Sequence, residues 1–253
     1  MNKKHTLPYD DMRGLIDLLE SKGRLQRITK TVGARYLHTL LAQADTALLM
    51  ENVEGYSTPV VGGLVGSRER IALGLGCDQR ELGRRFMDAL DNPIEAEVVE
   101  DGAAQEVVKT GSEVDLTELP IPFQHRKDGG PYLSAGISVS KNAEGRRNAG
   151  CYRLMYRTSR ETSIDLVSPS DMRFSYEEAL KRGEPLPIAI AFGTGTPELI
   201  AAAYKAPPGY DEFAVAGGLY GRPVPLVRCK TVDLEVPAHA EIVLEGEIST
   251  DGW

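Results

Sequence analysis

The sequence predicts an α/β (α+β) protein built in two successive parts. Through the first hundred residues, segments with apolar residues at helical spacing alternate with short β-branched runs. Beyond about residue 105, short strands punctuated by glycine and proline outnumber helices. We therefore expect an N-terminal α/β domain over residues 1–105 and a second domain, with a mixed or barrel-like sheet, over residues 106–253.

The N-terminal part starts with a helix and continues in alternation. The run PYDDMRGLIDLLESKG has an acidic first turn and an apolar helical stripe, and Gly23 ends it. RLQRITK then alternates like a strand, residues 34–51 (ARYLHTLLAQADTALLME) predict a second helix, and TPVVGGLVGS predicts a strand. One or two further helices are expected over residues 67–93. They end at Asn92-Pro93, because this dipeptide is a strong stop signal.

The second part is predicted to be rich in strands. They are expected in YLSAGISVSK, GCYRLMYRT, TSIDLVS, LPIAIAFG, VPLVRCKTVDLEVP and AEIVLEGEIS. Two helices, SYEEALKRG and PELIAAAYK, interrupt these strands. The chain closes on Gly252-Trp253 directly after a strand pattern. Either Trp253 docks as a C-terminal residue, or the chain is a piece of a longer protein.

Composition excludes several classes of protein. The net charge of −8 and pI of about 5.2 argue against a broad nucleic-acid surface, which needs clustered Lys and Arg. The three cysteines have no C-x-x-C spacing, so we expect free, buried thiols and a cytoplasmic protein. No apolar run reaches the roughly 18 residues of a membrane span, and the N-terminus lacks the apolar region of a signal peptide.

Three oxygen-bearing residues are candidate ligands for a hard cation. Asn148, Asp171 and Glu212 each lie at a predicted strand end or loop. Mg²⁺, Mn²⁺ and K⁺ prefer carboxylate and amide oxygens. Because the chain has 37 acidic residues, such a triple carries little weight by itself. Each residue can equally be a turn former or a solvated charge.

An arginine in the stretch NAGCYRLMYR also needs an explanation. As one strand, this stretch places Cys151, Arg153 and Met155 on the same face. A guanidinium between such neighbours needs an anionic partner, because an unpaired buried charge is costly. The partner is either a carboxylate of the protein or the carboxylate or phosphate of a ligand. Further along, FGTGTPEL predicts a helix with Thr196 as N-cap and Pro197 in the first turn.

Residues 115–247 carry a family resemblance. The segments LPIPFQHRKDGGPYLSAGISVSK, NAGCYR and the run from LPIAIAFGTGTPEL to EIVLEGEI closely resemble the UbiD family of decarboxylases. The resemblance implies a split β-barrel domain that binds prenylated FMN (or FMN), Mn²⁺ (or Mg²⁺) and K⁺. It implies reversible, non-oxidative decarboxylation of an aromatic or α,β-unsaturated acid through an adduct on the flavin. It further implies a flavin prenyltransferase as cofactor supplier and a homo- or hetero-oligomer.

The resemblance assigns the three oxygen ligands to one metal. Asn148 falls on the family Asn of N-x-G-x-Y-R, a metal ligand near the flavin phosphate. Glu212 falls on the family's metal-binding Glu. Asp171 stands where the family typically has a His, which adds negative charge near the phosphate. Arg173 could offset that charge or contact the phosphate itself.

The resemblance also assigns the cofactor and substrate contacts. Arg153 falls on the family Arg that contacts the substrate carboxylate, and is the catalytic candidate. The backbone of Ala202, Ala203 and Tyr204 is implied to lie near K⁺ and the phosphate, and Cys151 belongs to the same cofactor-binding set.

The chain departs from the family at its end. The family continues into a PEGPFGE-type loop, whose two glutamates pair with the arginine and donate a proton, and then into a C-terminal domain. No residue of this chain matches those glutamates, and Arg153 is expected to lack its acidic partner. Three interpretations stay open: a fragment of a decarboxylase, a subunit completed by another chain, or a non-catalytic binder of flavin or flavin phosphate.

Overall fold

A computed structural model describes residues 7–206 and 210–252. The α-helices of these residues are α1 (Met12–Ser21), α2 (Leu37–Gln43), α3 (Arg68–Gly74), α4 (Leu82–Asp91), α5 (Asp171–Arg182), α6 (Thr196–Ala203) and α7 (Glu212–Tyr220). The strands are β1 (Leu25–Ile28), β2 (Ala47–Met50), β3 (Val60–Gly62), β4 (Glu97–Val98), β5 (Tyr132–Leu133), β6 (Ile137–Lys141), β7 (Arg147–Cys151), β8 (Leu154–Thr158), β9 (Glu161–Ile164), β10 (Leu186–Phe192), β11 (Pro225–Arg228), β12 (Glu235–Pro237) and β13 (Ile242–Ile248). Short 3₁₀ helices cover Ala34–Tyr36, Ala103–Gln105, Gly111–Glu113 and Leu116–Glu118. Trp253 lies outside the described residues.

The N-terminal part contains a three-stranded sheet in the order β1-β2-β3. β1 and β2 run parallel, and β3 joins β2 antiparallel. The prediction of one helix over residues 34–51 is wrong. Backbone at Ala44 turns extended after α2, and the following ALLM run becomes the central strand β2. Pairing on both sides of β2 outweighs the helical propensity of its Ala, Leu and Met residues.

The second part is α+β, as predicted, and contains three small sheets. Their strand orders are β13-β10-β6-β7, β12-β11-β4 and β5-β8-β9. Within the described residues the sheets form no closed barrel, because β13 and β7 are edge strands of the largest sheet. β4 pairs parallel with β11, so residues 97–98 belong to a sheet of this second part. The domain boundary near residue 105 stays a prediction.

Helix α7 is a feature that the sequence patterns did not predict. Its run EFAVAGGLY contains two glycines, which are poor helix formers, and it is buried almost throughout. The glycines are explained by packing. A Cβ on Gly217 would lie 2.3 Å from the carbonyl oxygen of Ile94, and one on Gly218 would lie 2.9 Å from that of Ala89. The glycines therefore let α7 approach α4 and the segment that follows it, and α7 also packs on α6.

An open cleft separates the edge strand β13 from the β8–β9 hairpin. Its volume is about 1090 Å³, and its walls include Leu154, Ile164, Ile190 and Leu244. Residues 104–119 form the remaining side. None of the candidate ligands Asn148, Asp171 and Glu212 lines this cleft.

Two further observations bear on the class of protein. Cys77, Cys151 and Cys229 are free thiols, as predicted, but the expectation that they are buried is wrong: Cys151 is exposed and the other two are half-buried. Across residues 7–206 and 210–252, no helix combines the length and apolar character needed to cross a membrane.

Candidate functional site

The stretch NAGCYRLMYR is two strands rather than one. β7 ends at Cys151 in the sheet with β6, and β8 begins at Leu154 in the sheet with β5 and β9. Tyr152 and Arg153 lie at the crossing between these two sheets. The prediction that Cys151, Arg153 and Met155 share a strand face is therefore wrong. Pairing with two different partner strands breaks the alternation at this point.

Glu212 is the best-defined member of the candidate site. It is the first residue of α7, it is only 4% exposed, and its Oε2 accepts a hydrogen bond from the backbone N–H of Ala149 at 3.0 Å. Burial raises the pKa of its carboxyl to about 7; the charges of Asp211 and Asp171 add to the effect, and hydrogen bonds from backbone amides oppose it. Glu212 is thus a buried acid that holds a proton near neutrality.

Asn148 lies beside this carboxylate. It sits on β7 opposite Ser140, immediately before the Ala149 amide that binds Glu212. Its Oδ1 is buried and has no hydrogen-bond partner among the described residues. A buried carbonyl oxygen without a partner is costly, so this atom is suited to meet a cation or a donor supplied by a ligand.

Asp171 joins the site from a third element. It is the first residue of α5, which Ser170 caps through a hydrogen bond to the Arg173 amide. α5 packs against β6 and β7, and the charge of Asp171 contributes to the raised pKa of Glu212. The expectation that Asp171 and Glu212 lie at strand ends or loops is corrected: each is the first residue of a helix.

Tyr152 is a site residue that the sequence patterns did not indicate. Burial raises the pKa of its hydroxyl, and the charges of Asp171 and Glu212 add to the effect, while hydrogen-bonding groups of Ser170 and Met172 oppose it. Tyr152 therefore lies near the start of α5, where Ser170 and Met172 flank Asp171. The sequence feature that could have indicated Tyr152 is its position in the N-x-G-x-Y-R motif, next to Arg153.

Arg153 is exposed and already has an acidic partner. Its Nη2 and Nε lie 2.7 and 2.8 Å from the same carboxylate oxygen of Asp165, and 63% of its side chain is accessible. Of the two partners that the sequence left open for Arg153, the structure shows a carboxylate of the protein. The lack of the family's glutamates stays a prediction. The sequence patterns missed Asp165, which the β8–β9 hairpin brings back beside Arg153.

The remaining candidate cofactor residues occupy the end of α6 and the end of β7. Ala202 and Ala203 are the last residues of α6, Tyr204 follows them, and α6 packs against β7 and α7. The Tyr204 ring meets Phe86 edge to face at 5.0 Å. Cys151 closes β7.

One expectation about a helix start is wrong, and the proposed role of Arg173 stays a prediction. The N-cap of α6 is Gly195, so Thr196 is its first helical residue rather than the cap. The Arg173 guanidinium binds the backbone carbonyl of Val167 at 2.6 Å and Glu177 at 2.8 Å, which holds it on its own helix and the preceding loop.

The donor set at β7, α5 and α7 fits a hard cation. One amide oxygen without a protein partner and two carboxylates are oxygen ligands of the type that Mn²⁺ and Mg²⁺ take. A cation at this place would also remove the unfavourable proximity of Asp171 to Glu212. Among the described residues, no cluster of three or more His, Cys, Asp or Glu side chains is arranged to hold a metal. The amide of Asn148 is therefore essential to the candidate set.

Comparison with known families matches nearly the whole chain. Residues 97–252 match the UbiD family, described as the 3-octaprenyl-4-hydroxybenzoate carboxy-lyase Rift-related domain. Residues 16–90 match the N-terminal domain of the same carboxy-lyase. A curated relative, anhydromevalonate phosphate decarboxylase of Methanothermobacter thermautotrophicus, is 37% identical over 202 residues, which are 79% of this chain and 46% of the relative.

Solved structures share the fold described above. An evolved dimeric form of the UbiD-class enzyme HmfF from Pelotomaculum thermopropionicum, in complex with prenylated FMN (prFMN), matches with a TM-score of 0.91 and 36% identity. The match covers 95% of this chain and 58% of that one. Vanillic acid decarboxylase of Sedimentibacter hydroxybenzoicus, in its closed form, matches with a TM-score of 0.86 and 28% identity over 94% of this chain and 55% of that one. The chain thus spans about half the length of the relatives that it matches, and over that half it belongs to the UbiD family.

Proposed function

We propose that this chain is a component of a UbiD-like decarboxylase. It would act on an aromatic or α,β-unsaturated carboxylic acid, with prenylated FMN (or FMN) and Mn²⁺ (or Mg²⁺) at the junction of β7, α5 and α7. The observation that carries the proposal is the pairing of a buried, unpartnered Asn148 oxygen with the buried Glu212 carboxylate. A curated relative that is a decarboxylase, and a UbiD-class enzyme of the same fold that was solved with prenylated FMN, support the same reaction class.

In this proposal, three side chains hold the cation. Asn148, Asp171 and Glu212 would ligate it through oxygen, and its positive charge would offset the negative charge of the flavin phosphate. Because the pKa of Glu212 is about 7, its ligation displaces a proton at neutral pH. Backbone carbonyls of Ala202, Ala203 and Tyr204 are the proposed contacts of K⁺, and Cys151 is a proposed neighbour of the flavin.

Arg153 is the proposed contact for the substrate carboxylate. A guanidinium has five N–H donors, and Asp165 occupies two of them, so donors are left for a second carboxylate. Asp165 would orient the guanidinium for this purpose. The flavin, when bound, would accept the electron pair that loss of CO₂ leaves on the substrate.

The rest of the assembly is proposed from the relatives. One relative was solved as a dimer, and we propose a homo- or hetero-oligomer here too. A flavin prenyltransferase would supply the cofactor. The cytoplasmic location inferred from the free cysteines stays a prediction.

The test is binding of the two groups by titration calorimetry. With FMN and Mn²⁺ together, the wild-type chain should bind both, and Glu212→Ala should lose Mn²⁺ binding because one of three ligands is removed. Glu178→Ala is the matched control, since it removes an exposed carboxylate of α5 away from the site. Absence of binding by the wild-type chain, or equal binding by Glu212→Ala, would sink the proposal.

The same preparation separates the alternatives. The chain is co-expressed with a flavin prenyltransferase, its cofactor is identified by absorption and mass spectra, and CO₂ release from aromatic acids is measured. We expect bound cofactor without turnover, because no carboxyl of this chain matches the family's proton donor. Turnover restored by the remaining half of a relative identifies a decarboxylase component, whereas bound flavin without restored turnover favours the non-catalytic binder.

A further inference from the structure

We propose that the ion pair between Arg147 and Asp211 is a positioning clamp for the cation site. The inference rests on the proposed function, since it assigns the pair a role toward the ligands Asn148 and Glu212. Neither residue is a proposed ligand itself. Each stands one position before a ligand in the chain: Arg147 before Asn148, and Asp211 before Glu212.

The pair joins the two elements that carry these ligands. Arg147 opens β7, and its Nη2 forms an ion pair with Oδ2 of Asp211. The other oxygen of Asp211 accepts from the Phe213 amide at 2.9 Å and so caps α7. One carboxylate therefore fixes both the start of the helix and its distance from the strand.

Arg147 is held from two further directions. Its Nη1 lies 3.4 Å from Glu235, which also binds Lys141 at 3.1 Å. Its guanidinium lies 5.3 Å from the centroid of the Phe213 ring. Only 15% of the Arg147 side chain is exposed, so this pair is much less hydrated than a surface ion pair.

The geometry brackets Asn148 between two cross-links. On one side, Arg147 binds Asp211; on the other, the Ala149 amide binds the Glu212 carboxylate. β7 and α7 are thus tied at the residues before and after Asn148. A shift of α7 relative to β7 would separate Glu212 from Asn148, and outer partners that orient ligands commonly change metal affinity by about 10–100-fold.

An electrostatic effect and a positioning effect predict different changes in cation affinity when Arg147 and Asp211 are replaced. Removing the positive Arg147 would tighten cation binding electrostatically, and removing the negative Asp211 would weaken it. A clamp predicts that both changes weaken binding, since either one unties α7 from β7. The sign of the Arg147 effect therefore decides between the two.

The experiment measures Mn²⁺ affinity in the presence of FMN from the electron paramagnetic resonance signal of free Mn²⁺. The variants are Arg147→Gln, Asp211→Asn and their combination; asparagine retains the capping oxygen of α7. Arg146→Gln is the matched control, because the neighbouring Arg146 is exposed and pairs only locally with Glu144 at 3.5 Å. Circular dichroism confirms that each variant is folded.

We expect each single variant to bind Mn²⁺ about tenfold or more weakly, and the double variant to be no weaker than the weaker single one. Arg146→Gln should bind as tightly as the wild type or slightly more tightly. Tighter binding by Arg147→Gln, or unchanged affinity in both single variants, overturns the clamp. A wild-type chain that binds no Mn²⁺ instead overturns the proposed function, so the two failures are distinguishable. If Arg147→Gln does not fold, Asp211→Asn with unchanged affinity still refutes the inference.

Discussion

Two buried glutamates at the starts of neighbouring helices have opposite surroundings. Glu198, in the first turn of α6, is fully buried; its Oε2 accepts from the Tyr220 hydroxyl at 2.9 Å and its Oε1 lies 2.9 Å from Nε2 of His239. Glu212, at the start of α7, is nearly as buried, yet the hydrogen bonds that its carboxylate accepts come from backbone amides, that of Ala149 at 3.0 Å. The first carboxylate has two side-chain neighbours, Tyr220 and His239. The second accepts from the strand residue next to Asn148, whose buried amide oxygen has no hydrogen-bond partner among the described residues.

The difference separates a structural acid from a candidate functional one. Burial of a carboxylate is common to both regions, so burial by itself does not indicate a site. Tyr220 of α7 and His239 of the turn before β13 both contact Glu198, and the Tyr220 hydrogen bond ties the end of α7 to α6. Glu212 keeps its proton near pH 7 because nothing comparable compensates its charge.

The largest expected change in stability comes from removing the Glu198 carboxylate. Glu198→Ala should lower the free energy of unfolding by about 3–5 kcal/mol, because it leaves His239 and the Tyr220 hydroxyl buried without their partner. Glu212→Ala should cost much less, since it releases only backbone amides. Urea denaturation at pH 7 without metal compares the two.

The control for these two stability measurements is a glutamate on the surface of α5. Glu178→Ala removes an exposed carboxylate and should change stability by less than about 0.5 kcal/mol. If Glu198→Ala is no more destabilising than Glu212→Ala, the surroundings of the two acids do not differ as described.

The sequence identified candidate ligands but not how they meet. Asn148 and Glu212 were found from residue chemistry and the family motif, and the strands β10 and β13 from their β-branched runs. The contact between the Ala149 amide and Glu212 spans 63 positions and depends on α7. Helix propensity does not predict α7, because its run contains two glycines. Local patterns carry no information on such distant packing.

Arg153 illustrates the same limit in a local hairpin. Its partner Asp165 lies 12 positions away and becomes adjacent only because β8 and β9 pair. The alternating pattern of NAGCYRLMYR predicted one strand, since alternation does not reveal which partner strand each half joins. The break between the sheets is what leaves Arg153 exposed.

A change at Glu212 is expected to stabilise the fold rather than destabilise it, by less than the Glu198→Ala change costs. In metal-free protein with a chelator, Glu212→Gln should raise the free energy of unfolding at pH 8 by about 2 kcal/mol. Burial raises the pKa from 4.5 to about 7, so ionisation costs the folded state more than the unfolded state. This cost is absent below about pH 4.5, grows as the pH rises to 7, and is constant above it.

Denaturation of both proteins from pH 4 to pH 8 checks this expectation. The two stability curves should coincide at pH 4 and diverge up to pH 7. Saturating Mn²⁺ with FMN should reverse the order, because only the wild type keeps the ligand. A Glu212→Gln variant less stable than the wild type at pH 8 without metal would show that the fold does compensate the carboxylate.

The smallest expected effect is a change, caused by His239→Gln, in how the free energy of unfolding depends on pH. Burial alone would lower the pKa of this imidazole, but the hydrogen bond and charge of Glu198 outweigh burial and raise it. The stabilisation from charged His239 is therefore complete below pH 6.5, where the unfolded state is protonated too, and is lost as the pH rises through the folded pKa. His239→Gln should consequently cost more stability at pH 6 than at pH 9. A cost that is equal at both pH values would mean that His239 is not charged beside Glu198, and the contrast with the uncompensated Glu212 would then rest on the Tyr220 hydroxyl alone.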